Sequence, residues 1–192
     1  MKKTSSMSER LNTLRAGVLG SNDGILTVVG VLFSVAVATT DQFTIFIAGL
    51  SDLLACAFSM AAGEYASVST QKDAEKAAVA KEKQLLKTDF SSELATVKMF
   101  YVERGVSEQT AALIAQDLMA KKPLETVISI KYNLNLGQYM NPWSAALSSL
   151  VSASIGGIFP LAAMTLSPVQ YQWPLTILAV CVSVALTGYL SA

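Results

Sequence analysis

Hydrophobic positions along the chain gather into four long runs, residues 17–40, 43–68, 143–166 and 173–190, and polar positions into one long stretch, 69–141. A bilayer core of about 30 Å is crossed by about 20 helical residues. The first three runs exceed that length and the fourth just reaches it. None alternates apolar and polar residues, so barrel strands are disfavoured and helices are left as the spanning structure that satisfies its own backbone. The connections "TDQ" (40–42) and "SPVQYQ" (167–172) have room only for tight helical hairpins. The pattern predicts an all-α integral membrane protein. Its two transmembrane hairpins, 17–68 and 142–192, flank a helical insert, 69–141, and follow a short segment, 1–16.

Within the insert, "QKDAEKAAVAKEKQLLK" (71–87) has the Ala, Lys and Glu content of a solvated helix leaving the membrane. The stretch 91–105 carries apolar residues at Leu94, Val97, Met99, Phe100 and Val102 and stops at Gly105. The next helix starts at a Ser107 cap and ends before Pro123, and a short fourth one covers 124–132.

Charge adds an orientation. Of the 192 residues 52% are hydrophobic and only 15% charged, and the 14 basic and 14 acidic residues cancel. Lys2, Lys3, Arg10 and Arg15 precede the first run, every other basic residue lies between Lys72 and Lys131, and no charge follows Lys131. Basic residues mark cytosolic loops, so the N-terminal segment and the insert are expected in the cytosol and both hairpin turns outside. Trp143, Tyr171 and Trp173 stand at run ends, where amphipathic rings anchor in the interface. The basic start "MKKTSSMSERLNTLRAG" precedes a run too long for a signal peptide and reads as the flank of an uncleaved first membrane helix. A neutral chain without a basic stripe gives no support for nucleic-acid binding. Cys56 and Cys181 each lie in an apolar run, which argues against a disulfide. Without His or a visible nucleophile–base arrangement the chain does not read as an enzyme, and no cofactor is expected.

Three carboxylates interrupt the first two runs: Asp23, Asp52 and Glu64. A carboxylate at the bilayer centre costs about 2.5–3.5 kcal/mol on insertion scales. Asp23 and Glu64 lie close enough to run ends to reach headgroup water as readily as to line a path. Asp52 lies deep in its run, and its plain alternative is a protonated carboxyl hydrogen-bonded to a neighbouring helix. Asp52, Cys56, Met60 and Glu64 recur every four residues, so they climb one drifting ridge of a helix. Carboxylate oxygens with sulfur beside them suit Fe²⁺ or Mn²⁺ better than Mg²⁺ or Ca²⁺, although Met60 alone reads as ordinary packing. The small residues of the same run, from Ala48 to Gly63, permit a tight bundle or a dimer.

The segments "GVLGSNDGILTVVGVLFSVAVA", "IAGLSDLLACAFSMAAGEYASVSTQKDAE" and "NPWSAALSSLVSASIGGIFPL" resemble the vacuolar iron transporter family in its bacterial branch. The resemblance implies a homodimer in a bacterial cell membrane. Its first helices line a path for Fe²⁺ and Mn²⁺, which leave the cytosol in exchange for protons. By that resemblance Asp23 matches the path carboxylate of the first helix. Asp52 matches an acidic position where plant relatives carry Glu, and Met60 matches the path methionine. Glu64 stands where many plant iron transporters have Gly. Glu82 and Glu93 match two members of the family's cytosolic glutamate cluster. Leu85 and Thr96 replace two others and Asn133 a later Glu, with Asp89 nearby as a substitute. Metal binding by the insert is therefore expected to be weak. The family has five membrane helices and this chain four apolar runs, so an inactive truncated relative is an alternative, as is a membrane scaffold or interaction protein.

Overall fold

The computed structural model describes residues 7–191. Lys2, Lys3 and the rest of the first six residues lie outside the described part, as does Ala192. Every element in it is helical, and among the described residues there is no strand. Helices α1 (Met7–Ala38), α2 (Gln42–Thr88), α3 (Phe90–Val102), α4 (Glu108–Lys121), α5 (Pro123–Tyr132), α6 (Pro142–Leu166) and α7 (Gln172–Ser191) follow one another, with a 3-10 turn, Val169–Tyr171, before α7. Helices α1, α2, α6 and α7 are each long and apolar enough to cross a membrane. The protein is an all-α integral membrane protein. The chain divides into two compact units, one built from the residues up to Ser69 together with those from Asn141 onward, the other from Thr70–Met140.

Contacts in the first unit fix its topology. A methyl group added at Gly20 would meet the Ser149 carbonyl oxygen at 2.7 Å, and one at Gly24 would overlap the carbonyl of Ala153. Gly156 in turn lies against the Ser21 carbonyl, and Gly157 against Leu53 and Gly24. The contacts advance in step along both helices, so α1 and α6 run parallel, backbone against backbone. Small residues at successive turns allow this approach. Pairs at the other contacts run in opposite order: Phe33 stacks on Trp173 at 4.7 Å while Ser21 lies 3.4 Å from Thr187, so α7 is antiparallel to α1. Helix α2 packs against both parallel helices, with Gly49 between Leu32 and Leu161. The apolar centre is Val28, Leu32, Ile45, Leu53, Leu161 and Met164.

The hairpin turns are short because their helices start at once. The Asp41 carboxylate accepts from Thr44 N at 2.9 Å and so caps the first turn of α2. Beside it Gln172 donates to the Gln42 side-chain oxygen at 2.6 Å, which ties the starts of α2 and α7 together. Near the beginning of α6, Trp143 packs on Tyr65 of α2 with ring centroids 4.8 Å apart.

Helix α2 differs from the sequence expectation in one respect. A membrane helix ending near 68 and a separate solvated helix from 71 are instead one unbroken helix of 47 residues. The joint, "VSTQ" (68–71), contains neither Gly nor Pro, so nothing stops it.

The second unit is a small helical core of Val97, Ala115, Met119 and Val127, with Leu86, Leu94, Tyr101 and Ile130 packed around it. Its boundaries follow capping chemistry. Asp89 accepts from Ser92 N at 3.1 Å and starts α3, and Ser107 accepts from Thr110 N and starts α4. Gly105, at φ +87°, makes the turn between them.

Candidate functional site

Gly24 and Asp23 divide the work of one turn of α1. Gly24 lets the backbone rest on α6. Asp23 is turned about 100° away and reaches α2, where the Cys56 thiol donates to its Oδ2 at 3.4 Å. Asp52 lies one turn from Cys56 toward the hairpin, and Met60 and Glu64 lie one and two turns in the other direction. At 1.5 Å per residue, Asp52 and Glu64 are about 18 Å apart along the helix. The three carboxylates thus form a ladder along the span rather than one cluster, with Asp23 level with the middle rungs.

Two rungs carry unanswered oxygens. Asp52 Oδ2 and Glu64 Oε2 are shielded from solvent and have no hydrogen-bond partner among the described residues. The same is true of Asn22 Oδ1 on α1. A buried acceptor without a donor costs about 1–3 kcal/mol, so each of these oxygens is open to a hydrogen-bond donor or a cation. Met60 is half-buried one turn from Cys56. Among the described residues no three His, Cys, Asp or Glu side chains converge tightly enough to hold a metal ion. Counting His, Cys, Asp and Glu alone, the described residues of one chain therefore bring no more than two such side chains to any one point.

The inserted unit brings Glu82 and Glu93 together around a third residue. Lys131 Nζ lies 2.9 Å from Glu82 Oε2, and 2.7 and 2.6 Å from the two oxygens of Glu93. The Tyr132 hydroxyl donates to Glu82 Oε1 at 2.8 Å. Both carboxylates are buried, Glu82 at 1% and Glu93 at 5% exposure. Burial alone would raise the Glu82 carboxyl, but the hydrogen bonds from Lys131 and Tyr132 and the lysine charge outweigh it and hold it below the ordinary glutamate value. For Lys131 burial works downward and the two carboxylates more than reverse it, so the ammonium titrates above the ordinary lysine value. Donation to Glu82, then burial, raises the Tyr132 hydroxyl.

The neighbouring positions hold no further ligands for this cluster. Asp89 is occupied as the cap of α3, and Thr96 donates to the Ser92 carbonyl at 3.0 Å. Asn133 adopts φ 53° and ends α5, a left-handed position that Asn tolerates better than Glu. Lys131 and Tyr132 were not picked out by sequence. Their partners lie 38 to 50 residues away, and no local spacing announces the pairing.

The model of the VIT family matches residues 14–192. The chain is 37% identical over 160 residues to a protein of Acanthamoeba castellanii named "Vacuolar iron transporter", a match covering 83% of this chain and 58% of that protein. It is 29% identical over 149 residues to the rice (Oryza sativa subsp. japonica) "Vacuolar iron transporter homolog 1", covering 78% of this chain and 58% of that one. Against the Arabidopsis thaliana "Vacuolar iron transporter homolog 2.1" the identity is 28% over 155 residues, with 80% and 54% covered. The matched stretch thus spans somewhat over half the length of these curated relatives.

Proposed function

Since the chain belongs to the VIT family, we propose that it carries divalent iron or manganese out of the cytosol in exchange for protons, working as a homodimer in a bacterial cell membrane. The observation that carries this reading is the carboxylate ladder: Asp23 tied to Cys56, and Asp52 one turn away with an unanswered buried oxygen. Such groups are expensive in hydrocarbon and are kept where they serve an ion path. Because each level of one chain supplies so few ligands, a second copy is the natural source of the rest.

Asp23 and Asp52 supply the negative charge that draws a cation into the span. Met60 adds a thioether that favours the softer Fe²⁺. Glu64 is the rung nearest the cytosolic end. An ion that leaves exposes anionic carboxylates, which protons arriving from the far side neutralise, and proton release on the cytosolic side restores the binding form. The cytosolic side is assigned from the basic residues of the two flanking segments.

A second reading is favoured by the Cys56–Asp23 hydrogen bond itself, which also serves as a tie between α1 and α2 in a membrane scaffold. Reconstitution into liposomes separates the two. Flux of Fe²⁺ or Mn²⁺ that rises with an opposing pH gradient is expected for the transporter. The absence of flux for either ion, with or without the gradient, refutes it.

A further inference from the structure

We infer that Lys131 is the resident cation of the inserted unit: its ammonium fills the place between Glu82 and Glu93 that a divalent ion would take, so that removing the ammonium alone opens a divalent-cation site.

The geometry is that of a filled site. Three of the four carboxylate oxygens lie within 2.9 Å of one nitrogen, and the fourth accepts from Tyr132. Glu93 Oε2 is the telling atom. It is buried and lies 2.6 Å from Lys131 Nζ, so that both oxygens of Glu93 close on the one ammonium. Hard divalent ions contact such oxygens at roughly 2.0–2.6 Å, so ion and ammonium claim the same convergence point.

Charge makes the exclusion firm. Two carboxylates and one ammonium leave one negative charge. A divalent ion added beside the lysine would set three positive charges against two negative ones in a buried pocket, at contact distance. Without the ammonium, two buried carboxylates face each other and one divalent ion neutralises them. Lys131 is fixed in place by its position on the last turn of α5, where Tyr132 follows on the same carboxylate and Asn133 ends the helix. This inference concerns binding by the inserted unit and does not depend on whether the membrane span moves ions.

The test is a Mn²⁺ titration of the purified whole chain in detergent, read by loss of the free-ion paramagnetic resonance signal. Lys131→Gln is expected to bind about one more Mn²⁺ per chain than the parent, as its uncovered pair of charges demands. Adding Glu82→Gln to it should abolish that gain, while ions held by the span cancel in the difference. A natively helical Lys131→Gln protein with no added Mn²⁺ overturns the inference. The parent chain provides a second decision that needs no lysine variant. There, Glu82→Gln and Glu93→Gln should each leave the bound Mn²⁺ unchanged, and a loss in either shows that the ion already shares the site with Lys131.

Discussion

Asp52 bears the sharpest test at the level of single residues. Asn preserves its shape but removes its negative charge, so under the proposed function Asp52→Asn is expected to abolish Fe²⁺ and Mn²⁺ flux while leaving insertion and the proposed dimer intact. Asp23→Asn should do the same, and Met60→Leu should mainly weaken Fe²⁺. Unchanged flux in Asp52→Asn liposomes would mean that the carboxyl is structural, since a neutral amide is easier to hold in lipid. The Glu82–Lys131–Tyr132 cluster makes a separate prediction about pH. Glu82 titrates below its ordinary 4.5, so its contribution is complete above that value and is lost as pH falls through the lowered one. Lys131 and Tyr132 titrate above their ordinary 10.5 and 10.0, so their contributions are complete below those values and fade as pH rises through the raised ones. Thermal unfolding of the inserted unit should therefore show a plateau between about pH 4.5 and 10. Lys131→Met leaves two buried carboxylates unpaired and should cost about 3–5 kcal/mol near neutrality. Its stability should then rise on acidification, because protonation relieves the pair, and a melting temperature falling with acid as in the parent would contradict the assignment. The ladder residues were legible from sequence because a carboxylate in an apolar run is conspicuous. Lys131 was not, because a lysine near the end of a soluble helix looks like ordinary solvated charge until folding brings distant glutamates to it.

Between elements, the closest approach is made by α1 and α6, and their glycines decide it. Gly24→Ala would push a methyl into the Ala153 carbonyl, a backbone atom that cannot swing aside. The two helices must then separate, which is expected to cost about 1–3 kcal/mol, whereas Gly30→Ala, which meets nothing within 4 Å, should be neutral or slightly stabilising. Comparing the two variants by thermal inactivation in detergent checks this, and equal effects would mean that the α1–α6 contact is not a determinant of stability. The four apolar runs, their hairpins, the Ser107 cap and the Gly105 turn could all be read from residue type and spacing. The partner of each helix could not. Small residues crowd α2, yet Gly63 faces open space and only Gly49 of its two glycines is pressed against neighbours. Composition shows that a face is thin, and only the tertiary arrangement shows what lies against it.

At the scale of the whole molecule, orientation follows from where charge can reside. Arg10 and Arg15 before the first span and the ten basic residues between Lys72 and Lys131 are expected on the cytosolic side. With Cys56 and Cys181 replaced, a new cysteine at Gln42 or Gln170 should react with an impermeant reagent from outside, and one at Gln71 only from the cytosol. Labelling of Gln42→Cys from the cytosol alone would invert the scheme.

The parallel α1–α6 pairing also sets a timetable for synthesis. Thr13 and Ser148, joined by a hydrogen bond at one end of that contact, are 135 residues apart in the chain. At ~5–20 residues per second, the ribosome delivers α6 on the order of ten seconds after α1. Throughout that interval the first hairpin has its glycine seam in place with nothing to lie against. Helix α7 and the aromatic stack on Phe33 come later still. The first hairpin must therefore wait in the membrane until the second arrives, and this bundle closes only once α6 and α7 have both been made.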